Sequence, residues 1–217
     1  FGVTENAVIS RMVLDNVSIQ TAGCEGTAAI VGLMRGGTLT ESYVTGYVSG
    51  GSGATGGLVG MLDGGVVENS YNTAEIYGYE IAGGVVGSAC GGAVISCCYG
   101  SGRTTTAVWR KLVGYVVGEV NGADVLSSYS IGGVDYYGYI VDETISAYEE
   151  SYQGFDFDSV WSIAYSRPCL INNTELSCSP TVSTVTNGSS VHRALLIGQQ
   201  TYTPSNQVRP GGLTTGI

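Results

Sequence analysis

LVGMLDGGVVENSYNTA, residues 58–74, decides how this chain folds. Two short apolar runs, Leu58-Val59 with Met61-Leu62 and then Val66-Val67, are separated by Gly64-Gly65, and the polar Glu68-Asn69-Ser70 ends on Tyr71. Runs this short, broken by paired glycine, do not suit helices; they read as strands joined by tight turns. The same texture returns in IVGLMRGGTLTESYVTG from Ile30, VVGSACGGAVISCCYGS from Val85 and VVGEVNGADVLSSYSIG from Val116. The closing tyrosines, Tyr43, Tyr71, Tyr99 and Tyr129, lie 28, 28 and 30 residues apart. The opening glycines, Gly32, Gly60, Gly87 and Gly118, are spaced by 28, 27 and 31. Two markers with nearly one period identify an internal repeat.

A unit of that length cannot bury its own apolar face, but stacked units can, each pairing its strands with the coil above and below at about 4.8 Å. The expected fold is therefore all-β, a parallel β-solenoid of coils of about 28 residues. Equivalent residues then stack, so the four tyrosines form a ladder, pointing inward or outward. Residues 7–19, AVISRMVLDNVSI, share the alternating texture and read as a preceding coil. The glycine pairs Gly36-Gly37, Gly56-Gly57, Gly64-Gly65, Gly83-Gly84 and Gly91-Gly92 read as corners, where glycine takes positive φ without a steric penalty. The open end of such a stack invites aggregation, so a cap is expected.

Composition agrees with this reading and excludes several functions. Hydrophobic residues make up 43% of the 217, against wholesale disorder, and turns are made by 35 Gly with only 4 Pro. Fifteen Tyr against three Phe suit half-exposed strand faces. The net charge of −10 and eight basic residues exclude a phosphate-binding surface, so nucleic acid is not an expected partner. Arg110-Lys111 is the sole adjacent basic pair. From there to Arg167 there are only acids, Glu119, Asp124, Asp135, Asp142, Glu143, Glu149, Glu150, Asp156 and Asp158, which read as a solvated face. They lack the spaced Asp/Asn/Gly loop of an EF-hand calcium site. No apolar run is long enough for a membrane span, and the start at Phe1 is neither an initiator Met nor a signal peptide. The chain is thus expected to be a piece of a longer precursor.

The pattern GGLVG at residues 56–60 followed by GGVVENSY at 64–71 resembles the GLUG-motif repeats of bacterial surface and secreted proteins. The resemblance covers roughly residues 25–135. It implies a β-solenoid on an extracellular or cell-surface bacterial protein. The third unit departs from it by one extra residue and the Cys97-Cys98 pair. The fourth has Gly122-Ala123 in place of the glycine pair, which leaves its corner geometry open.

Beyond Asp135 the glycine spacing breaks down. Residues 143–153 read as a short helix or a loop. GFDFDSVWSIAYSRPCLI, from Gly154, resembles the segments that follow GLUG arrays, and Phe155, Phe157 and Trp161 are expected to cover the open end of the last coil. Residues 172–190, rich in Ser, Thr and Asn, read as a linker. In VHRALLIGQQTY, from Val191, the apolar run 194–197 closed by Gly198 suits a buried parallel strand. This string resembles the first strand of the caspase-like cysteine peptidase fold. The expected layout is a solenoid over 1–150, a capping segment over 151–180, a linker over 181–191 and the start of a caspase-like domain over 192–217.

The residues offer no complete active site. Within the caspase-like resemblance the catalytic His and Cys come later in sequence, so neither maps onto any residue here. His192 stands beside Arg193 at the edge of the linker without a partner for a triad. Asp156 and Asp158 are two apart and share a face on a strand, the minimum a glycosidase pair needs, but paired acids are common on acidic surfaces. The repeat-equivalent positions Arg35, Asp63, Cys90 and Asn121 give no carboxylate pair on adjacent coils. Six cysteines include no CxxC, against zinc, while Cys169 and Cys178 enclose a loop short enough to close as a disulfide. Catalytic, cofactor and metal residues are therefore expected to be none. The expected function is the non-catalytic N-terminal part, as spacer, prodomain or binding platform, of a processed caspase-like cysteine peptidase. Its expected partner is a second chain carrying the rest of that domain. The alternative is an adhesin or carbohydrate-binding solenoid, whose tyrosine ladder and acidic face bind a cell-surface glycan or protein with no enzyme attached.

Overall fold

Short strands broken by glycine can satisfy their backbone groups only by pairing with an equivalent strand one period away. The computed structural model shows that arrangement. It describes residues 1–108, 112–133, 135–164 and 166–173, all of which belong to one compact unit, Phe1–Thr181. Four parallel sheets run the length of a stack of coils spanning residues 3–27, 31–56, 59–83 and 86–114, with a partial fifth over 117–131.

Each of the four full coils contributes to every sheet, the third and fourth coils giving two short strands to the third sheet. The first sheet orders Val3–Glu5, Val31–Arg35, Val59–Asp63, Val86–Cys90 and Val117–Asn121. The second orders Val8–Ser10, Thr38–Thr40, Val66–Glu68, Val94–Ser96 and Asp124–Leu126. The third carries the tyrosines, in the register Val13, Tyr43, Tyr71, Tyr99, Tyr129, Tyr139. The fourth orders Gly26–Thr27, Ala54–Gly56, Ile81–Gly83 and Leu112–Gly114. Residues 7–19 do form a preceding coil, as the texture implied.

The core lies inside the coils. Met34, Leu62 and Ala89 stack in one row and Leu39, Val67 and Ile95 in another, all fully buried. Each fully buried side chain of this size contributes about 1.5–3 kcal/mol relative to exposure.

The glycines play two roles, not one. At the corner between the first and second sheets, Gly36-Gly37, Gly64-Gly65 and Gly91-Gly92 all take positive φ. Gly37, at φ +81°, also leaves no room for a side chain, since a Cβ there would stand 2.2 Å from the Ala7 carbonyl oxygen of the coil below. Gly56-Gly57 and Gly83-Gly84 do not take positive φ. They are glycine because backbone crowds the corner: a Cβ on Gly56 would meet the Val59 carbonyl oxygen three residues on, and one on Gly84 the Tyr115 carbonyl oxygen of the next coil. In the partial fifth coil Gly122 alone keeps the left-handed corner at φ +70°, and the Asp124 N–H still reaches the Ala93 carbonyl (2.9 Å). The extra residue of the coil before it is absorbed at the same corner, where register with the coil below shifts between Cys90 and Val94.

The stack ends on a side chain. Along the corner joining the fourth sheet to the first, the N–H of Ile30 donates to Leu58 O, Leu58 to Val85 O and Val85 to Val116 O, at 3.3, 3.0 and 2.9 Å. Among the described residues Val116 has no such backbone partner in a following coil; its N–H donates to the Asp135 carboxylate instead. Asp135 is buried and also accepts from the N–H groups of Tyr137 and Gly138 (2.9 Å each). Within the acidic stretch this residue is therefore not part of a solvated face.

Residues 143–153 form turns with a single 3₁₀ turn, Glu149–Ser151. Trp161–Ala164 and Arg167–Leu170 then make a two-stranded antiparallel sheet. The linker and the caspase-like strand expected over 181–217, with His192 and Cys178, lie outside the described residues. Cys169 is buried and disulfide-bonded. Among the described residues no helix is long and apolar enough to cross a membrane.

Candidate functional site: the tyrosine ladder

Three consecutive residues build the flank that carries the ladder. The first sits at the corner between the second and third sheets, and in every coil it is a non-glycine residue in the left-handed region: Arg11, Glu41, Asn69, Cys97 and Ser127, with φ of 43–55°. Holding a residue with a Cβ there carries a strain of about 1–3 kcal/mol that surrounding contacts must offset. The second residue supplies those contacts. Ser42, Ser70 and Ser128 point inward and are fully buried. Each hydroxyl donates to the carbonyl two residues back, Thr40, Glu68 and Leu126, at 2.7–2.9 Å. Each also accepts an N–H from the coil below: Met12 to Ser42 (3.0 Å), Ser42 to Ser70 (3.0 Å) and Cys98 to Ser128 (3.2 Å). Cys98 fills the same place in its coil and donates to Ser96 O (3.2 Å). Burial pushes its thiol far above the ordinary value.

The third residue is the tyrosine. Because successive side chains of a strand face opposite ways, Val44 enters the core while Tyr43 stands outside it. The ladder therefore points outward. Tyr43 stacks on Tyr71 with ring centres 4.7 Å apart and planes 8° apart, and Tyr71 on Tyr99 at 4.9 Å and 4°. That spacing is the separation of neighbouring strands, so the backbone pitch imposes the stacking.

An outward row of phenols would be an exposed apolar stripe, yet all four are at most 5% exposed. Residues 152–172 cover them. Trp161, wholly buried, leans on both Tyr71 and Tyr99 with centres 6.1 and 6.0 Å away. Phe155 stacks on Trp161 at 4.6 Å and meets Tyr129 edge-on at 5.5 Å. Tyr99 donates its hydroxyl to the Pro168 carbonyl (2.7 Å) and Tyr129 donates to that of Gln153 (2.8 Å). Burial raises the ionisation of Tyr43, Tyr71, Tyr99, Tyr129 and Tyr152 above the ordinary phenol range.

The covering segment also touches the left-handed corner residues one after another. The Cys97 thiol donates to Gly154 O (3.2 Å), Trp161 Nε1 donates to Asn69 Oδ1 (3.4 Å) and Asn172 Nδ2 donates to Glu41 Oε2 (3.0 Å). Arg167 adds a bond to Ser101 (2.9 Å). Burial pushes the Glu41 carboxyl up, but Asn172 and Arg11 outweigh it and hold it below the ordinary range. The segment thus runs back along the side of the stack, from the fifth coil to the second. This corrects the expectation that Phe155, Phe157 and Trp161 sit across the end. The apolar surface needing cover is the outward ladder, whose direction the sequence left open.

Other candidates resolve into structural roles. Asp156 and Asp158 lie in a turn, not on a strand, and the Asp156 carboxylate accepts the N–H groups of Asp158 and Ser159 (2.9 and 3.0 Å) and the Ser159 hydroxyl. Those bonds hold Asp156 below the usual carboxylate range. Arg35, Asp63, Cys90 and Asn121 line an outer row in register, where Arg35 pairs with Glu5 (3.3 Å) and the Cys90 thiol donates to Asp63 (3.6 Å). Cys97 and Cys98 face opposite ways, one to the covering segment and one into the core. Among the described residues no three His, Cys, Asp or Glu side chains converge as metal ligands would. The buried hydroxyl or thiol was visible in sequence as the Ser or Cys preceding each ladder tyrosine. No protein-family model matches the chain, and a search of curated proteins finds no match.

Proposed function

We propose that this chain is the non-catalytic solenoid portion of a secreted or cell-surface bacterial protein, a prodomain, spacer or binding platform preceding a caspase-like cysteine peptidase domain. The observation that carries this reading is that the inward hydroxyls, the Cys98 thiol and the ladder phenols are committed to the fold. The serines and Cys98 close corners, the phenols lie under the covering segment, and Asp135 and Asp156 hold turns. A stack built this way is a rigid support, and its chemistry is expected downstream. The GLUG-like repeat and the string at 192–198, which resembles the first caspase-like strand, point in the same direction. On this reading the longer protein is cleaved, and the second chain carries the catalytic His and Cys and keeps the 194–197 strand in its sheet. Gel analysis and intact mass of the longer gene product test it. Two associated chains with peptidase activity are expected; a single uncut, fully active species counts against processing.

The adhesin reading loses the surface first assigned to it, because the tyrosine ladder is buried by the chain itself. It would have to rest on the acidic face alone.

A further inference from the structure

At the last-coil end Tyr139–Val141 continues the third sheet and Asp135 closes the corner at Val116, but among the described residues nothing continues the first two sheets. Residues 152–172 turn down the flank, so among the described residues the strands Val117–Asn121 and Asp124–Leu126 are the outermost members of their sheets. The consequence shows in burial. Met34, Leu62 and Ala89 are fully buried, but Val120, next in that row, is only partly so; Leu39, Val67 and Ile95 are followed in the same way by Val125. Leu126 is 52% exposed. A row of backbone N–H and C=O groups beside a half-open apolar core is a template for one more strand.

The chemistry of that strand can be read from the stack. Inward positions above Val120 and Val125 call for apolar side chains, as in every coil below. Outward, Glu119 and Asp124 stand on this edge. Three outward carboxylates elsewhere are met across coils by arginine, Arg35 with Glu5 (3.3 Å), Arg11 with Glu41 (3.0 Å) and Arg103 with Glu75 (3.9 Å), while Asp63 accepts from the Cys90 thiol and Glu119 accepts the Ser88 hydroxyl of the coil below (3.0 Å). We propose that this edge is a docking site for an extended polypeptide strand of a partner protein. That strand pairs in parallel with 117–126, puts apolar residues over Val120 and Val125, and sets Lys or Arg over Glu119 and Asp124. The proposal is independent of the downstream peptidase.

A probe strand is available in the chain itself, because residues 86–96 already pair with this edge from below, with Ser88 beside Glu119 and Val94 beside Asp124. A synthetic peptide of that sequence carrying Cys90→Ser, Ser88→Lys and Val94→Lys is mixed with the full chain, and amide hydrogen exchange is followed over 117–126. The expected result is new protection confined to that edge. Binding should weaken by roughly tenfold or more when the two lysines are replaced by glutamates. The preference should reverse in the E119K/D124K chain. Putting proline at position 90 of the peptide, Cys90→Pro in place of Cys90→Ser, removes a donor that faces this edge, because that row bonds the preceding coil, and should abolish protection. Three results overturn the proposal: amides of 117–126 as protected in the lone chain as those of 86–96, which means another part of the chain already lies there; no protection by the lysine peptide; or equal binding by lysine and glutamate peptides.

Discussion

Gly37 and Gly92 share a left-handed φ, +81° and +73°, yet differ in what surrounds them: a Cβ added to Gly37 would collide with the Ala7 carbonyl oxygen, whereas nothing lies within 4 Å of a Cβ on Gly92. Alanine at either place meets the same backbone strain, so the difference between the two variants isolates the steric part. G37A is expected to lower stability by about 1–3 kcal/mol more than G92A in urea unfolding, as overpacking does. Equal losses would mean the coil below yields freely. The buried hydroxyls respond to chemistry instead of shape. S70A leaves the Ser42 N–H without its acceptor and should cost about 1–3 kcal/mol, whereas S70C, which copies Cys98, should cost less. Asp135 gives a parallel test at the end of the stack. D135A strips the acceptor from Val116 and is expected to cost about 2–3 kcal/mol, with fraying of Leu112–Gly114 seen by hydrogen exchange; D135N keeps one carbonyl oxygen and should cost less.

At the scale of elements, the covering segment and the ladder form a second apolar layer separate from the coil core. Removing its centre by W161A is expected to cost about 3–5 kcal/mol, with 152–170 losing exchange protection before the coil strands do. Simultaneous loss from Val59–Asp63 would show that the two layers are one unit. The ladder also predicts an alkaline limit. Burial raises the folded phenols above the ordinary value of 10.0, so their contribution is intact below pH 10. Above it the unfolded tyrosines ionise while the folded ones resist, and stability falls as pH rises. The last part of the phenolate absorbance, that of the buried ladder, should therefore appear in one step together with unfolding; complete titration of all the tyrosines in a still-folded chain would contradict this. The repeat and its register were legible in sequence because a stack forces equivalent residues into contact, which preserves spacing. The direction of the ladder was not legible. It depends on which side of one strand Tyr43 takes, and that follows from the inward turn of Ser42, a residue small enough to escape notice beside a tyrosine.

At the scale of the whole molecule, each coil touches chiefly its neighbours, so stability is distributed along the stack. Protection from exchange should be greatest in the second to fourth coils, flanked on both sides and strapped from outside, and least at Asp124–Leu126. The return path of the covering segment has one more result, which concerns force. Phe1 is bonded to Ile30 and Asn172 to Glu41, so both ends of the described chain are fastened to the same coil. Tension applied between them is carried across that one layer, and the remaining coils hang beside the load path like a cul-de-sac. Inserting further coils would make the stack taller and draw Asn172 away from Glu41 unless the covering segment lengthened in step.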